Sequence, residues 1–259
     1  MPPKPTISAD RKLFLLTNDD GHFAPGLKAL RKEISKLGDV VVVAPDREQS
    51  ASSHSLTLQR PLRINHYGNN QYSVDGTPTD CVMIAVHALL KKRKPDFVIS
   101  GVNHGPNMGD DVTYSGTVAA AIEGSILGIP SIAVSLADWV AQDCVPAARA
   151  TRKIVRQFMD WPFPAFTLLN INMPYLDREP FKGARITKLG KRVYGDIIVE
   201  KTDPRGKHYY WIGGEPEWFE MDGSDYSAVN AGYISITPLA VDMTSHSAYA
   251  RFSDLKIKI

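Results

Sequence analysis

Leu13-Phe14-Leu15-Leu16-Thr17-Asn18-Asp19-Asp20-Gly21 is the stretch that decides the fold. Its first five residues form an apolar, partly β-branched run without alternation, the pattern of a strand buried on both faces. The run passes directly into two adjacent carboxylates and a glycine. Residues 26–37 follow, with Leu27, Leu30, Ile34 and Leu37 on one helical face. A buried strand, a polar turn and an amphipathic helix make the first half of a parallel βαβ unit.

The same unit recurs along the chain. Apolar runs at residues 40–44, 97–100, 131–135 and 166–170 alternate with helical patterns at 79–90, 117–127 and 147–159. This predicts an α/β fold, a mostly parallel sheet flanked by helices on both faces. Residues 62–74, with Gly68-Asn69-Asn70 at their middle, predict a β-hairpin inserted in one crossover. After about Pro174 helical periodicity fades. Strand character returns at residues 185–189, 194–200, 208–212 and 232–238. The chain is therefore expected to divide into a flexible N-terminal extension (1–12), a catalytic α/β domain (13–180) and a β-rich C-terminal oligomerisation region (181–259). Tyr209, Tyr210, Trp211 and Trp218 in that region either form an interface or cap the main core, and both readings stand.

Composition removes several function classes. The 259 residues carry a formal net charge of +2, so nothing pulls the whole molecule towards a nucleic acid polymer or a membrane surface. Hydrophobic residues are 43% and charged residues 22%, as in ordinary soluble enzymes. Cys81 and Cys144 read as reduced thiols, and no Cys or His spacing suits zinc. Residues 1–12 lack the apolar run of a signal peptide, and no run approaches about 20 apolar residues. The expected location is cytoplasmic.

In an open parallel sheet, ligands bind beyond the carboxyl ends of the strands. Asn18-Asp19-Asp20-Gly21, Pro45-Asp46-Arg47-Glu48-Gln49-Ser50 and the loop from Gly101 to Asp111 all follow strands. Adjacent carboxylates repel unless a cation offsets them, and oxygen ligands select a hard ion such as Mg²⁺, Mn²⁺ or Ca²⁺. The competing reading of Asp19 and Asp20 is a turn with a helix cap. Asn103, just past its strand, could complete a coordination shell through its amide oxygen. Ser115-Gly116-Thr117 opens an Ala-rich helix, where free N–H groups and the helix dipole favour phosphate; a simple Ser115 cap is compatible with this. No Walker A loop and no dinucleotide fingerprint occur. His22 and His104 read as satisfied or solvent-facing rather than as proton donors. Glu123 reads as a buried structural carboxylate, and Ser52, Ser53 and Ser55 as a polar loop.

Several ordered motifs resemble the SurE family of survival proteins. They are Leu15-Leu16-Thr17-Asn18-Asp19-Asp20-Gly21, Ala24-Pro25-Gly26, Ala44-Pro45-Asp46-Arg47, Gly76-Thr77-Pro78-Thr79-Asp80-Cys81, Gly101-Val102-Asn103-His104-Gly105-Pro106-Asn107, Ser115-Gly116-Thr117-Val118-Ala119-Ala120-Ala121 and Gly232-Tyr233-Ile234-Ser235-Ile236-Thr237-Pro238-Leu239. The resemblance covers nearly the whole chain after Lys12. It implies a Rossmann-like fold whose C-terminal extension exchanges between subunits, giving a homodimer or homotetramer. It implies one divalent cation per subunit, Mg²⁺ or Mn²⁺, on Asp19, Asp20, Ser50 and Asn103. Substrate phosphate is expected at Asn107, Ser115, Gly116 and Thr117. The implied activity is hydrolysis of nucleoside 5′-monophosphates, with 3′-monophosphates and short polyphosphate as further substrates. Two positions depart from the family pattern: His22 stands where an aliphatic or aromatic residue is common, and Gln49-Ser50-Ala51 where a basic residue precedes Ser-Gly.

The expected chemistry is direct attack by water on phosphorus, with Asp19 and Asp20 holding the cation and one of them orienting or deprotonating the water. An aspartyl-phosphate route would need a free nucleophile, and the D-x-D-x-[TV] spacing is missing. The competing function is a metal- and nucleotide-binding regulator without turnover.

Overall fold

The computed structural model describes residues 2–141, 143–176, 181–194, 198–213 and 216–255. The chain order is β1 (Leu13–Thr17), α1 (Pro25–Ile34), β2 (Asp39–Pro45), β3 (Ile64–His66), β4 (Gln71–Val74), α2 (Pro78–Ile84), β5 (Phe97–His104), α3 (Gly116–Ile126), β6 (Ser131–Leu136), α4 (Val145–Phe158) and β7 (Thr167–Met173). There follow β8 (Ala184–Ile186), β9 (Lys191–Tyr194), β10 (Ile198–Thr202), β11 (His208–Ile212), β12 (Pro216–Phe219), α5 (Asp225–Asn230), β13 (Ile234–Ala240) and α6 (His246–Phe252).

Nine strands form one sheet in the order β3-β4-β2-β1-β5-β6-β7-β13-β8. From β4 to β7 all neighbours are parallel, as the alternation of strands and helices predicts. Strand β3 is antiparallel to β4, which places the expected hairpin at one edge. Strand β13 returns antiparallel beside β7, so the sheet draws strands from both sides of residue 180.

The pleat sends alternate residues of β1 to opposite faces. Phe14 and Leu16 pack with Leu27, Leu30 and Ile34 of α1 and Ile154 and Val155 of α4. Leu13 and Leu15 pack with Val82 and Ala85 on the α2 side and with Ala120 of α3. Truncating such a buried leucine to alanine costs about 2–5 kcal/mol. Helices α1 and α4 are further joined by Glu33, which accepts from Lys36 at 2.6 Å and from Arg152 at 2.9 Å.

Local signals account for the helix starts. Pro25 stands in the first turn of α1, where its missing N–H costs nothing. Thr77 and Asp80 form a reciprocal capping box on α2. The expected helix at 79–90 divides: its second half, Ala85–Leu89, is a π-helical turn closed by Leu90 N–H donating to Ala85 O at 2.8 Å. Helices α5 and α6 and strand β12 were not expected. The expected strand at 194–200 crosses residues 195–197, outside the described residues. Cys81 and Cys144 are unpaired and buried, and burial pushes both thiols up.

The N-terminal residues lie along the β2–β4 edge. Thr6 and Asn70 exchange two hydrogen bonds, at 2.8 and 2.7 Å, and the Tyr72 hydroxyl donates to Pro3 O at 2.8 Å. Ser8 N–H donates to Asp39 at 2.6 Å. Among the described residues no helix is long and apolar enough to cross a membrane.

Candidate active site

Strand β1 ends at Thr17, and the turn after it carries Asp19 and Asp20. Gly21 closes that turn at φ 98°, a conformation costly for any residue with a Cβ. The Asn18 amide braces it by donating to Gly21 O at 3.0 Å. Asp19 is 4% exposed. Its carboxylate accepts from the Thr117 hydroxyl and from the Thr117 backbone N–H. The carboxylate therefore occupies the positive end of α3 that the sequence offered to phosphate. Ser115 caps the same helix by accepting from Val118 N–H at 3.1 Å.

Gly116 is where the two segments touch. A Cβ there would lie 2.7 Å from Ser52 Oγ and 2.9 Å from Asp19 Cβ, so only glycine lets α3 approach the carboxylate this closely. Ser52 Oγ is buried without a hydrogen-bond partner, and so is Asn18 Oδ1.

Asp20 accepts from the backbone N–H of His104, which sets it against the end of β5. Burial, and then the negative charge of Asp19, push its carboxyl up to about 7. Burial also pushes Asp19 up, against the Thr117 bonds that pull it down. Glu48 raises both carboxylates further. Two desolvated like charges at one strand end repel, and either protonation of one or a nearby cation relieves that repulsion. Among the described residues no three His, Cys, Asp or Glu side chains converge. The remaining donors are neutral oxygens, a set that fits a hard divalent cation and not zinc.

A cavity of about 660 Å³ opens beside Asp19. Ser50, Asn103, Asn107 and Ser115 line it, together with His104, Trp139 and Arg192. Five sequence-expected residues thus meet in one cavity, while Asp20, Gly116 and Thr117 are not among the residues that line it. Asn103 Nδ2 donates to Gly105 O at 2.8 Å, so its amide oxygen takes no part in that bond. Ser50 Oγ is bonded to Glu48 at 2.7 Å. Asn107 is held on three sides: its N–H donates to Asn172, its Nδ2 to Ser135, and its carbonyl accepts from Asn170 and Asn172, all within 2.8–2.9 Å.

Of the lesser candidates, His104 lines this cavity and Ser52 meets Gly116, while His22 and Glu123 fall elsewhere. His22 stacks on Tyr67 at 4.6 Å, and burial favours its neutral ring. Glu123 is hydrogen-bonded to His54 Nε2 at 2.8 Å, in keeping with a structural role.

The profile of the family described as survival protein SurE matches residues 14–196. The chain belongs to the SurE family. The 5′-nucleotidase SurE of Geotalea daltonii is 51% identical over 238 residues, 91% of this chain and 96% of that protein. The 5′-nucleotidase SurE of Citrifermentans bemidjiense is 53% identical over 236 residues, 90% and 95% of the two chains. The crystal structure of the SurE protein from Aquifex aeolicus superposes with a TM-score of 0.85 at 45% identity, covering 93% of this chain and 98% of that one. The SurE likeness thus extends well beyond the carboxylate turn, over the mixed sheet as a whole.

Sequence reasoning missed the residues that frame the SurE-type cavity from afar. Arg192 on β9 forms an ion pair with Asp111 and lies 5.1 Å from the Trp218 ring centroid. Trp218 in turn stacks on Tyr226 at 4.7 Å. Asp225 is fully buried and accepts from Gly109 N–H at 2.9 Å and Gly190 N–H at 2.8 Å. Glu48 stood in a loop already singled out, and its acidic side chain was the available signal.

Proposed function

We propose that this protein is a metal-dependent phosphomonoesterase that hydrolyses nucleoside 5′-monophosphates to nucleoside and phosphate. The observation that carries the reading is the junction of the buried Asp19–Asp20 turn with the first turn of α3 at one cavity. The names of the SurE relatives supply the substrate class. Nucleoside 3′-monophosphates and short polyphosphate are further substrates in this reading.

Asp19, Asp20, Ser50 Oγ and the Asn103 amide oxygen hold one Mg²⁺ or Mn²⁺. That cation supplies Lewis acidity to the phosphoryl group. The protein does the positioning. Thr117 fixes Asp19, His104 N–H fixes Asp20, and Ser115 and Asn107, which line the cavity, receive phosphate oxygens. One of the two carboxylates orients the attacking water and takes its proton. The cytoplasm is the compartment that suits this substrate. The exposed Tyr210, Trp211 and Ile212 support assembly into a homodimer or homotetramer through the C-terminal region.

Purified protein is incubated with AMP and Mn²⁺ or Mg²⁺, and released phosphate is measured. Release that EDTA and Asp19→Asn both abolish is the expected result. Tight AMP binding with no release would replace this reading with a regulator.

A further inference from the structure

A second cavity, of about 850 Å³, lies at the opposite end of the sheet. The start of β2, the last turns of α1, the β3–β4 turn and the N-terminal residues enclose it. Its lining brings together Lys4, Arg11, Lys28, Arg31 and Lys32, with Asp39 as the sole carboxylate among the described residues. Asp39 is already engaged, accepting from Arg11 Nη1 at 2.7 Å and from Ser8 N–H at 2.6 Å. Among the described residues no carboxylate pairs with Lys4, Lys28, Arg31 or Lys32.

Cations in the last turn of a helix complement its dipole, and that accounts for Arg31 and Lys32. It does not account for Lys4 and Lys28 converging on the same hollow. The walls are also fixed. Arg31 Nη2 donates to Asn69 O at 3.2 Å, and the reciprocal Thr6–Asn70 pair ties the N-terminal segment across the turn. Four unneutralised cations in a walled concavity repel one another, and a multivalent anion relieves that repulsion.

We propose that this cavity is a second binding site, separate from the carboxylate turn, for an anion carrying a chain of phosphoryl groups. Both free polyphosphate and a nucleoside triphosphate present that chemistry. Asp39 is the only carboxylate among its described lining residues, so the site lacks the paired carboxylates of the candidate active site and is proposed for binding alone. The site stands whether or not the nucleotidase reading does, because none of its residues belongs to the active site.

The test uses the full chain with Asp19→Asn, in EDTA, so that turnover and metal-assisted binding are both removed. Tripolyphosphate and ATP are titrated separately by calorimetry at constant ionic strength, with sulfate as the control. One saturable site per chain is expected for tripolyphosphate. The charge reversals Lys28→Glu and Lys32→Glu, both on exposed positions of α1, should each weaken it at least about tenfold. Arg31→Gln provides a milder variant, and circular dichroism confirms the fold of each. Tighter binding of ATP than of tripolyphosphate identifies the nucleoside triphosphate as the preferred source, and the reverse order identifies free polyphosphate. Undetectable binding at millimolar tripolyphosphate, equal binding of sulfate, or indifference to both reversals overturns the proposal.

Discussion

Thr117 donates its hydroxyl hydrogen bond to Asp19, joining the first turn of α3 to the end of β1. The backbone N–H of the same residue makes a second bond to that carboxylate. Thr117 therefore acts on the proposed cation through Asp19, as outer-shell partners of metal ligands do. Thr117→Val keeps the shape and removes the hydroxyl. It should weaken Mn²⁺ binding about 10- to 100-fold and lower kcat in step, while Thr117→Ser restores both. Calorimetric Mn²⁺ titration, paired with steady-state kinetics, checks this.

Asp20→Asn should separate stability from turnover. The Asp20 carboxyl is raised from 3.8 to about 7 in the folded chain. A raised carboxyl contributes stability below its unfolded value, and that contribution is lost as pH rises through about 7. In EDTA at pH 8 the ionised Asp20 is thus a liability, and the Asn variant should unfold at a higher temperature than the unaltered protein. At pH 4 the two should nearly coincide. The variant should release no phosphate from AMP at either pH. A lower melting temperature for the variant at pH 8 would count against the desolvated carboxylate pair.

Glu33 behaves in the opposite sense. Its hydrogen bond with Lys36, and then that with Arg152, hold its carboxyl below the usual 4.5. The stabilisation is present above 4.5 and is lost as pH falls through the lower folded value. Glu33→Gln should cost about 1–2 kcal/mol in urea unfolding at pH 7, a modest figure because both cations reach solvent. At pH 3 the difference should shrink.

Asp225 joins the turn after Met108 to Gly190 and so sets one rim of the cavity. Asp225→Ala leaves those two amides without their acceptor. Their hydrogen exchange should accelerate at least about tenfold, against smaller changes in β1 and β5. KM for AMP should rise more than kcat falls.

The exposed apolar row of β10 and β11 gives the assembly prediction. Trp211 is 63% exposed and Ile212 84% exposed. Trp211→Glu with Ile212→Lys should shift the protein to a smaller species in sedimentation velocity. An unchanged sedimentation coefficient would place the subunit contact elsewhere.

Which of these features the sequence revealed follows from how far apart the partners lie. Strands β1, β2, β5 and β6 were legible because burial on both faces leaves an unbroken apolar run within a few residues. The Asp19–Asp20 turn and Ser115–Thr117 were legible for the same local reason. That Thr117 binds Asp19 was not, since it needs β1 and α3 brought side by side. Asp111 with Arg192, and Asp225 with Gly109, are likewise products of the assembled sheet. Helix α5 escaped notice because six residues are too few for periodicity, although Ser224 caps it. The break at Ala85 escaped because apolar spacing barely changes when a hydrogen bond shifts by one residue.

The antiparallel return of β13 beside β7 bears on how the chain comes into being. Strand β7 is complete at Met173, but its antiparallel partner β13 spans Ile234–Ala240, about 60 residues later. During synthesis the nascent sheet must wait with one flank of β7 bare while the intervening residues emerge. Unpaired strand edges of that kind recruit other chains. Translation pausing before residue 240 should therefore produce aggregates or chaperone-bound nascent chains, and synthesis beyond β13 should resolve them.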